Sequence, residues 1–173
     1  LCLGGSHLKL GVDPDIAVFA KAMTNGYPLS VIIGRKEYME AAQDTFISST
    51  FFTERIGFAA TLKAIELYEM NRVDEYINRI GKHIQEKWAK IAHNYNVPIE
   101  VGGIYPLSHF TFVSDKPLEY KTFFTQEMLS EGFLASTAFY MSYAHTDQVI
   151  EEYIAAFDRT MRKISDINSG GKD

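Results

Sequence analysis

Two short stretches carry residues whose types and spacing could do chemistry. In "DIAVFAKAMTNGYPLS", Asp15 to Ser30, Lys21 stands between Phe19-Ala20 and Ala22-Met23 and is followed by an Asn25-Gly26-Tyr27-Pro28 turn. An amine in that setting has two readings. At a surface, a lysine lays its stem along apolar neighbours and keeps its ammonium in water. Buried, it is desolvated, which disfavours the ammonium, lowers its pKa and yields a nucleophile suited to forming a Schiff base. Downstream, "ISSTFFTER", Ile47 to Arg55, places Ser48, Ser49 and Thr50 just ahead of a helix start. Hydroxyls and free backbone N–H groups at such a junction can hold a phosphate. Residues of the same type also serve as plain loop and cap residues. The local pattern leaves both questions open.

The remaining reactive residues form no comparable constellation. His83 and His93 lie on one helical stretch but face different directions, which argues against a metal pair. His109 falls in a strand and His145 just before a helix cap, and both read as structural. No His-Glu-x-x-His, Walker or zinc spacing occurs. Glu151 and Glu152 are adjacent and read as a solvated face.

The elements that must position Lys21 and Thr50 follow from pattern. "LSVIIG", Leu29 to Gly34, is a β-branched run ended by glycine and predicts a buried strand, followed by a short surface helix in "RKEYMEAAQD". A helix is expected from Glu54 to Asn71, with Gly57, Ala59, Ala60 and Ala64 permitting close packing. A second runs from Val73 to about Tyr95 with one apolar stripe of Val73, Ile77, Ile80, Ile84, Trp88 and Ile91. "SHFTFV", Ser108 to Val113, alternates as a strand does. "LEYKTFFTQEMLSEG" predicts a helix capped by Gly132, and "FLASTAF" a short strand. From Thr146 the pattern predicts a helix with a threonine N-cap, acids in its first turn, bases in its last, and a stripe of Ile150, Ile154, Phe157, Met161 and Ile164. The polar tail "NSGGKD" is expected to fray. The order from Val73 onward is helix–strand–strand–helix–strand–helix, an α+β layer distinct from what precedes it. The expected domains are therefore 1–72 and 73–173.

Composition bounds the function. The 173 residues are 46% hydrophobic and 23% charged, with a net charge of −5 that argues against nucleic acid or an anionic membrane as the main partner. Cys2 is the one cysteine, so neither an internal disulfide nor a thiolate cage can form, which suits the cytoplasm. No apolar run approaches the roughly 20 residues of a membrane-spanning helix. The chain starts at "LCLGGSHL" with no methionine and no signal-peptide pattern, and reads as an internal or C-terminal piece of a longer protein.

The segment "GVDPDIAVFAKAMTNGYPLSVIIG", Gly11 to Gly34, resembles the cofactor-lysine signature of the class III pyridoxal-phosphate-dependent aminotransferases. "SSTFFTERIGFAA" resembles that family's later loop, and "GFLASTAFYMSYAHTDQVIEEYIAAF" resembles its C-terminal ending, so the similarity spans almost the whole chain. The resemblance implies an α/β chain of fold type I: here the end of the large cofactor domain plus the small α+β C-terminal domain. It implies pyridoxal 5'-phosphate as cofactor, Lys21 as the lysine bonded to it, and Thr50 as a phosphate-binding residue that reaches the cofactor of the other subunit in an obligate homodimer. The resemblance assigns no role to Ser48, Ser49 or Thr53. The implied reaction moves an amino group between an amine or amino acid and a keto or aldehyde compound.

The departures from the pattern matter as much. The family's cofactor-ring aspartate, phosphate loop and stacking aromatic precede the lysine and have no counterpart here, and Asp13 and Asp15 stand too close to Lys21 to replace that aspartate. The expected consequence is a chain that holds the lysine but is inactive alone. "KAMTNGYPLS" differs from the glycine-rich form of the glutamate-semialdehyde aminomutases, although the sequence drifts toward that branch. An intramolecular aminomutase is the second reading, and a non-catalytic module retaining the fold is the third. Arg35, Arg55 and Arg72 read as surface or structural residues.

Overall fold

The computed structural model describes residues 2–170. The chain divides into two compact units, Leu1–Asp74 and Glu75–Asp173. Helices α4 (Val73–Asn94), α5 (Pro117–Ser130) and α6 (Asp147–Gly170) and strands β3 (Ile99–Gly102), β4 (Leu107–Phe112) and β5 (Ala138–Tyr140) build the second unit, with α4 beginning at its edge. The sheet is antiparallel in the order β3-β4-β5, with Val101 opposite Phe110 and Ser108 opposite Phe139.

Strand β4 shows why this unit folds. Its residues alternate, so that Ser108, Phe110 and Phe112 are buried while the residues between them face out. Phe110 meets Trp88, Phe124 and Phe157 edge-on at ring separations of 5.0, 5.3 and 5.7 Å. Such contacts add about 0.5–1.5 kcal/mol each beyond the burial itself. The predicted stripes close this core: Ile80, Ile84, Trp88 and Ile91 from α4, and Ile150, Ile154, Phe157, Met161 and Ile164 from α6, are all buried. Trp88 Nε1 donates to the Tyr153 hydroxyl at 3.1 Å, which pairs two polar groups the core would otherwise strand. Gly81 is required by a close approach: a Cβ there would stand 2.0 Å from the Tyr105 carbonyl oxygen.

The ends of these helices follow their caps, with one exception. Gly132 (φ 90°) ends α5, with the Phe133 amide donating back to Met128 O at 2.8 Å. Thr146 Oγ1 accepts the Val149 amide at 3.3 Å at the start of α6. The basic residues expected to close α6 lie inside it, because the helix continues past Ile164 to Gly170. Arg159 and Lys163 instead reach Glu131, just past the end of α5, and Glu127 within it, at 2.6 and 2.5 Å. The tail expected to fray is helical through Gly170, and residues 171–173 lie outside the described residues.

The first unit holds α1 (Ser6–Leu10), β1 (Ile16–Phe19), β2 (Val31–Gly34), α2 (Lys36–Met39) and α3 (Arg55–Met70), with short 3-10 turns at Lys21–Met23 and Glu40–Asp44. β1 and β2 pair antiparallel, from Ile16 opposite Gly34 to Phe19 opposite Val31. The strand predicted as buried is not: Ile32 and Ile33 are 58% and 51% exposed. β1 gives β2 a hydrogen-bonding neighbour along one edge, and Val18 of β1 is exposed as well. Thr24 and Gly57 are the buried residues among those described here, whereas Phe46 and Phe51 are 95% and 73% exposed. Among the described residues no helix is long and apolar enough to cross a membrane.

Candidate active site

Lys21 opens the 3-10 turn that follows β1, and its backbone is left-handed, with φ 55°. The residue before it, Ala20, is extended, so the chain turns sharply at the lysine. The Lys21 carbonyl accepts the amides of Thr24 and Asn25, both at 3.2 Å. Asn25 (φ 53°) and Gly26 (φ 115°) then reverse the chain as the Asn-Gly pair predicts. Thr24 is 4% exposed; its hydroxyl donates to the Tyr27 carbonyl and lies 3.4 Å from the Lys21 carbonyl.

Tyr27 ties this turn to the start of α3. Its hydroxyl donates to Glu54 Oε2 at 2.6 Å, and its ring lies where a Cβ on Gly57 would be 3.1 Å from it. Glu54 is the N-cap of α3, accepting the amides of Ile56 at 2.7 Å and Gly57 at 3.1 Å. The Tyr27 hydroxyl and the Ile56 amide hold the Glu54 carboxyl below its ordinary range. The same hydrogen bond, to a negatively charged acceptor, raises the Tyr27 phenol.

The Lys21 side chain is exposed, and among the described residues its amine has no hydrogen-bond or ion-pair partner. It borders an open hollow of ≈ 470 Å³ lined by Ala20, Ala22, Asn25, Gly26, Tyr27, Pro28 and Leu29. The buried, desolvated lysine expected for a Schiff base is therefore not produced by these residues alone. The hollow is lined by the turn itself, residues 20–22 and 25–29.

Thr50 lies in the turn before α3, exposed, with its hydroxyl unbonded among the described residues. It does not line the Lys21 hollow. At the start of α3 Glu54 accepts the Ile56 and Gly57 amides, so those two donors are already engaged. Thr24, Tyr27 and Glu54 were not singled out by the sequence. Glutamate is not among the preferred N-caps, and the tyrosine's role depends on a contact across the intervening segment. Asp13 and Asp15 both pair with Arg35, the latter at 3.3 Å, so that arginine fastens the ends of β1 and β2. His83 Nε2 lies 2.9 Å from Glu151, and His145 Nδ1 accepts the Ser142 amide at 3.1 Å.

The sequence profile of the class-III aminotransferases matches residues 4–161, a span that includes the whole of this arrangement. The chain belongs to the class-III aminotransferase family. The 3-aminobutyryl-CoA aminotransferase of Cloacimonas acidaminovorans (strain Evry) is 30% identical to this class-III chain, over 94% of it and 41% of the relative. The glutamate-1-semialdehyde 2,1-aminomutase of Halorubrum lacusprofundi is 27% identical, over 90% of this chain and 44% of its own length. Among solved structures, the FumI protein of Sphingopyxis sp. MTA144, in its pyridoxal-phosphate internal aldimine form, superposes with a TM-score of 0.84 at 22% identity. That match covers 92% of this chain and 39% of FumI. The class-III chain thus has the fold of the fold-type-I transaminases over the matched portion, and it spans about two fifths of the length of the curated relatives it matches.

Proposed function

We propose that this chain carries the cofactor-anchoring part of a pyridoxal 5'-phosphate-dependent aminotransferase that moves an amino group between an amine or amino acid and a keto or aldehyde compound. The observation that carries this reading is Lys21: an unpaired amine on a left-handed backbone, facing an open hollow, inside the segment that matches the family. The hollow fits the group in that it leaves room beside the amine, between the small Ala20 and Ala22 and the larger Asn25, Tyr27 and Leu29. Lys21 Nζ would hold the cofactor covalently, and the free Thr50 hydroxyl would bind phosphate in a second copy of the chain. When bound, the pyridoxal ring withdraws electrons from the substrate and acidifies its Cα proton. Lys21, freed as an amine when substrate takes its place, carries that proton through Nζ.

Among the described residues no carboxylate lines the hollow, so none of them supplies an anionic partner for the cofactor ring. The chain by itself therefore anchors without turnover. The exposed aromatic side chains of Phe46, Phe51 and Phe52 support a homodimer, because apolar patches of this kind mark interaction surfaces. A cytoplasmic location rests on the family resemblance together with the single cysteine. The aminomutase relative supports a second reading, intramolecular amino transfer, which differs in needing no separate acceptor.

The test is to incubate the chain with pyridoxal phosphate, reduce it with borohydride and map the pyridoxyl group by mass spectrometry. Lys21 is the expected principal site, and the product is lost in Lys21→Ala. Labelling spread evenly over the lysines would favour a non-catalytic module. In the whole protein, Lys21→Ala is expected to abolish amino transfer, and turnover of one substrate with no acceptor present would select the aminomutase reading.

A further inference from the structure

Among the described residues Asn25 and Asn96 have positive φ and are of the type that tolerates it; Lys21, at 55°, and Arg72, at 48°, are not. A strained backbone at a functional residue persists only where its surroundings over-determine it. The residues that do so here form a chain of contacts. The Lys21 carbonyl is held by two backbone amides and lies beside the buried Thr24 hydroxyl. That hydroxyl, with a single proton to give, donates to the Tyr27 carbonyl. Tyr27 in turn packs its ring on Gly57 and donates its hydroxyl to Glu54, the cap of α3. Each contact fixes the next, and the last rests on a helix running from Arg55 to Met70.

We propose that Thr24 and Tyr27 are positioning residues for the Lys21 amine, transmitting the placement of the α3 N-terminus to the lysine backbone and so aiming Nζ into the hollow. The inference rests on the reading of Lys21 as the cofactor lysine. Neither hydroxyl is free for cofactor or substrate, because Thr24 is enclosed in the turn and the Tyr27 phenol is engaged by Glu54, although the Tyr27 side chain lines the hollow. What they supply is direction. Without the latch the turn relaxes toward an ordinary φ, and the amine leaves the hollow.

The experiment uses pyridoxal phosphate as probe on the chain and on Thr24→Val, Thr24→Ser and Tyr27→Phe. In the trapped reaction Lys21 Nζ adds to the aldehyde carbon, the carbonyl oxygen leaves as water, and borohydride delivers hydride to the C=N carbon to give a secondary amine. Mass spectrometry reads labelling at Lys21 relative to Lys36 and Lys63, two exposed lysines of the same unit. Thr24→Val and Tyr27→Phe are each expected to lower that ratio about five-fold, the worth of one net hydrogen bond. Thr24→Ser, which keeps the hydroxyl, retains the wild-type ratio; a purely space-filling role would have valine do better than serine. A wild-type preference for Lys21 that both Thr24→Val and Tyr27→Phe preserve overturns the positioning role and leaves the cofactor lysine standing. No wild-type preference overturns the cofactor reading, and the positioning role with it. Should Thr24→Val lose its helical circular dichroism, Tyr27→Phe decides, because it keeps the ring over Gly57.

Discussion

The Tyr27 hydroxyl stands 2.6 Å from Glu54 Oε2, and the same carboxyl group accepts the amides of Ile56 and Gly57. One side chain thus caps a helix and anchors the turn that carries Lys21. The helix start and the lysine cannot move independently.

This junction should be sensitive to acid. The Glu54 carboxyl is depressed, first by the Tyr27 hydroxyl and then by the Ile56 amide. A carboxylate depressed by folding contributes stability that is fully present above its ordinary value of 4.5 and is lost as pH falls through the folded value. The Ile56 and Gly57 amide resonances are expected to titrate below pH 4.5 in the wild type. In Glu54→Gln that transition should be absent, which a pH series of amide spectra would check.

Lys21 offers a test of backbone strain that is separate from its chemistry. A left-handed non-glycine residue costs roughly 1–2 kcal/mol, and alanine at that position keeps the cost. Lys21→Gly should therefore be more stable than Lys21→Ala by about 1 kcal/mol. Paired urea titrations followed by far-ultraviolet circular dichroism compare the two, and equal midpoints would count against strain at this residue.

In the second unit, Gly81→Ala should be destabilising by about 1–3 kcal/mol, the usual cost of overpacking. The added Cβ meets the Tyr105 carbonyl at 2.0 Å, and backbone cannot swing aside as a side chain would. Trp88 sits in the same core and provides the fluorescence signal for the denaturation curve.

Tyr153→Phe removes the acceptor for Trp88 Nε1 while keeping the ring, which also meets Phe139 at 4.8 Å. A buried indole N–H left without a partner costs about 1–3 kcal/mol. The variant should unfold at correspondingly lower urea with an unchanged dependence on denaturant concentration. Burial also pushes the Tyr153 phenol well up, so the wild-type core should show no tyrosinate absorbance from this residue at pH 10.

The two units differ in how far their sequences could be read, and the reason is physical. In α4 and α6 the apolar stripes meet partners within the same unit, so periodicity translated directly into burial: Ile80, Trp88, Phe157 and Ile164 all lie where the pattern put them. In the first unit the β-branched run of β2 reads as core, yet Ile32 and Ile33 are exposed, and Lys21, for which the pattern leaves both a surface and a buried reading, faces water. Family resemblance directed attention to Lys21 and Thr50, but not to what fixes the lysine. The Thr24 latch and the Glu54 cap depend on carbonyl directions and a side-chain reach that residue types do not announce. At the far end of α6, Arg162 and Lys163 read as a terminal basic turn, whereas the helix continues through Ser165 and Asn168.

Gly57 ends up coupled to a residue far from it in sequence. The ring of Tyr27 occupies the space that a side chain at 57 would need, at 3.1–3.2 Å, and Leu29 closes the other flank at 3.3 Å. A side chain at 57 is therefore accommodated only if Tyr27 and Leu29 give way by a few tenths of an ångström, and a ring pushed aside at 27 carries with it the phenol that holds the cap.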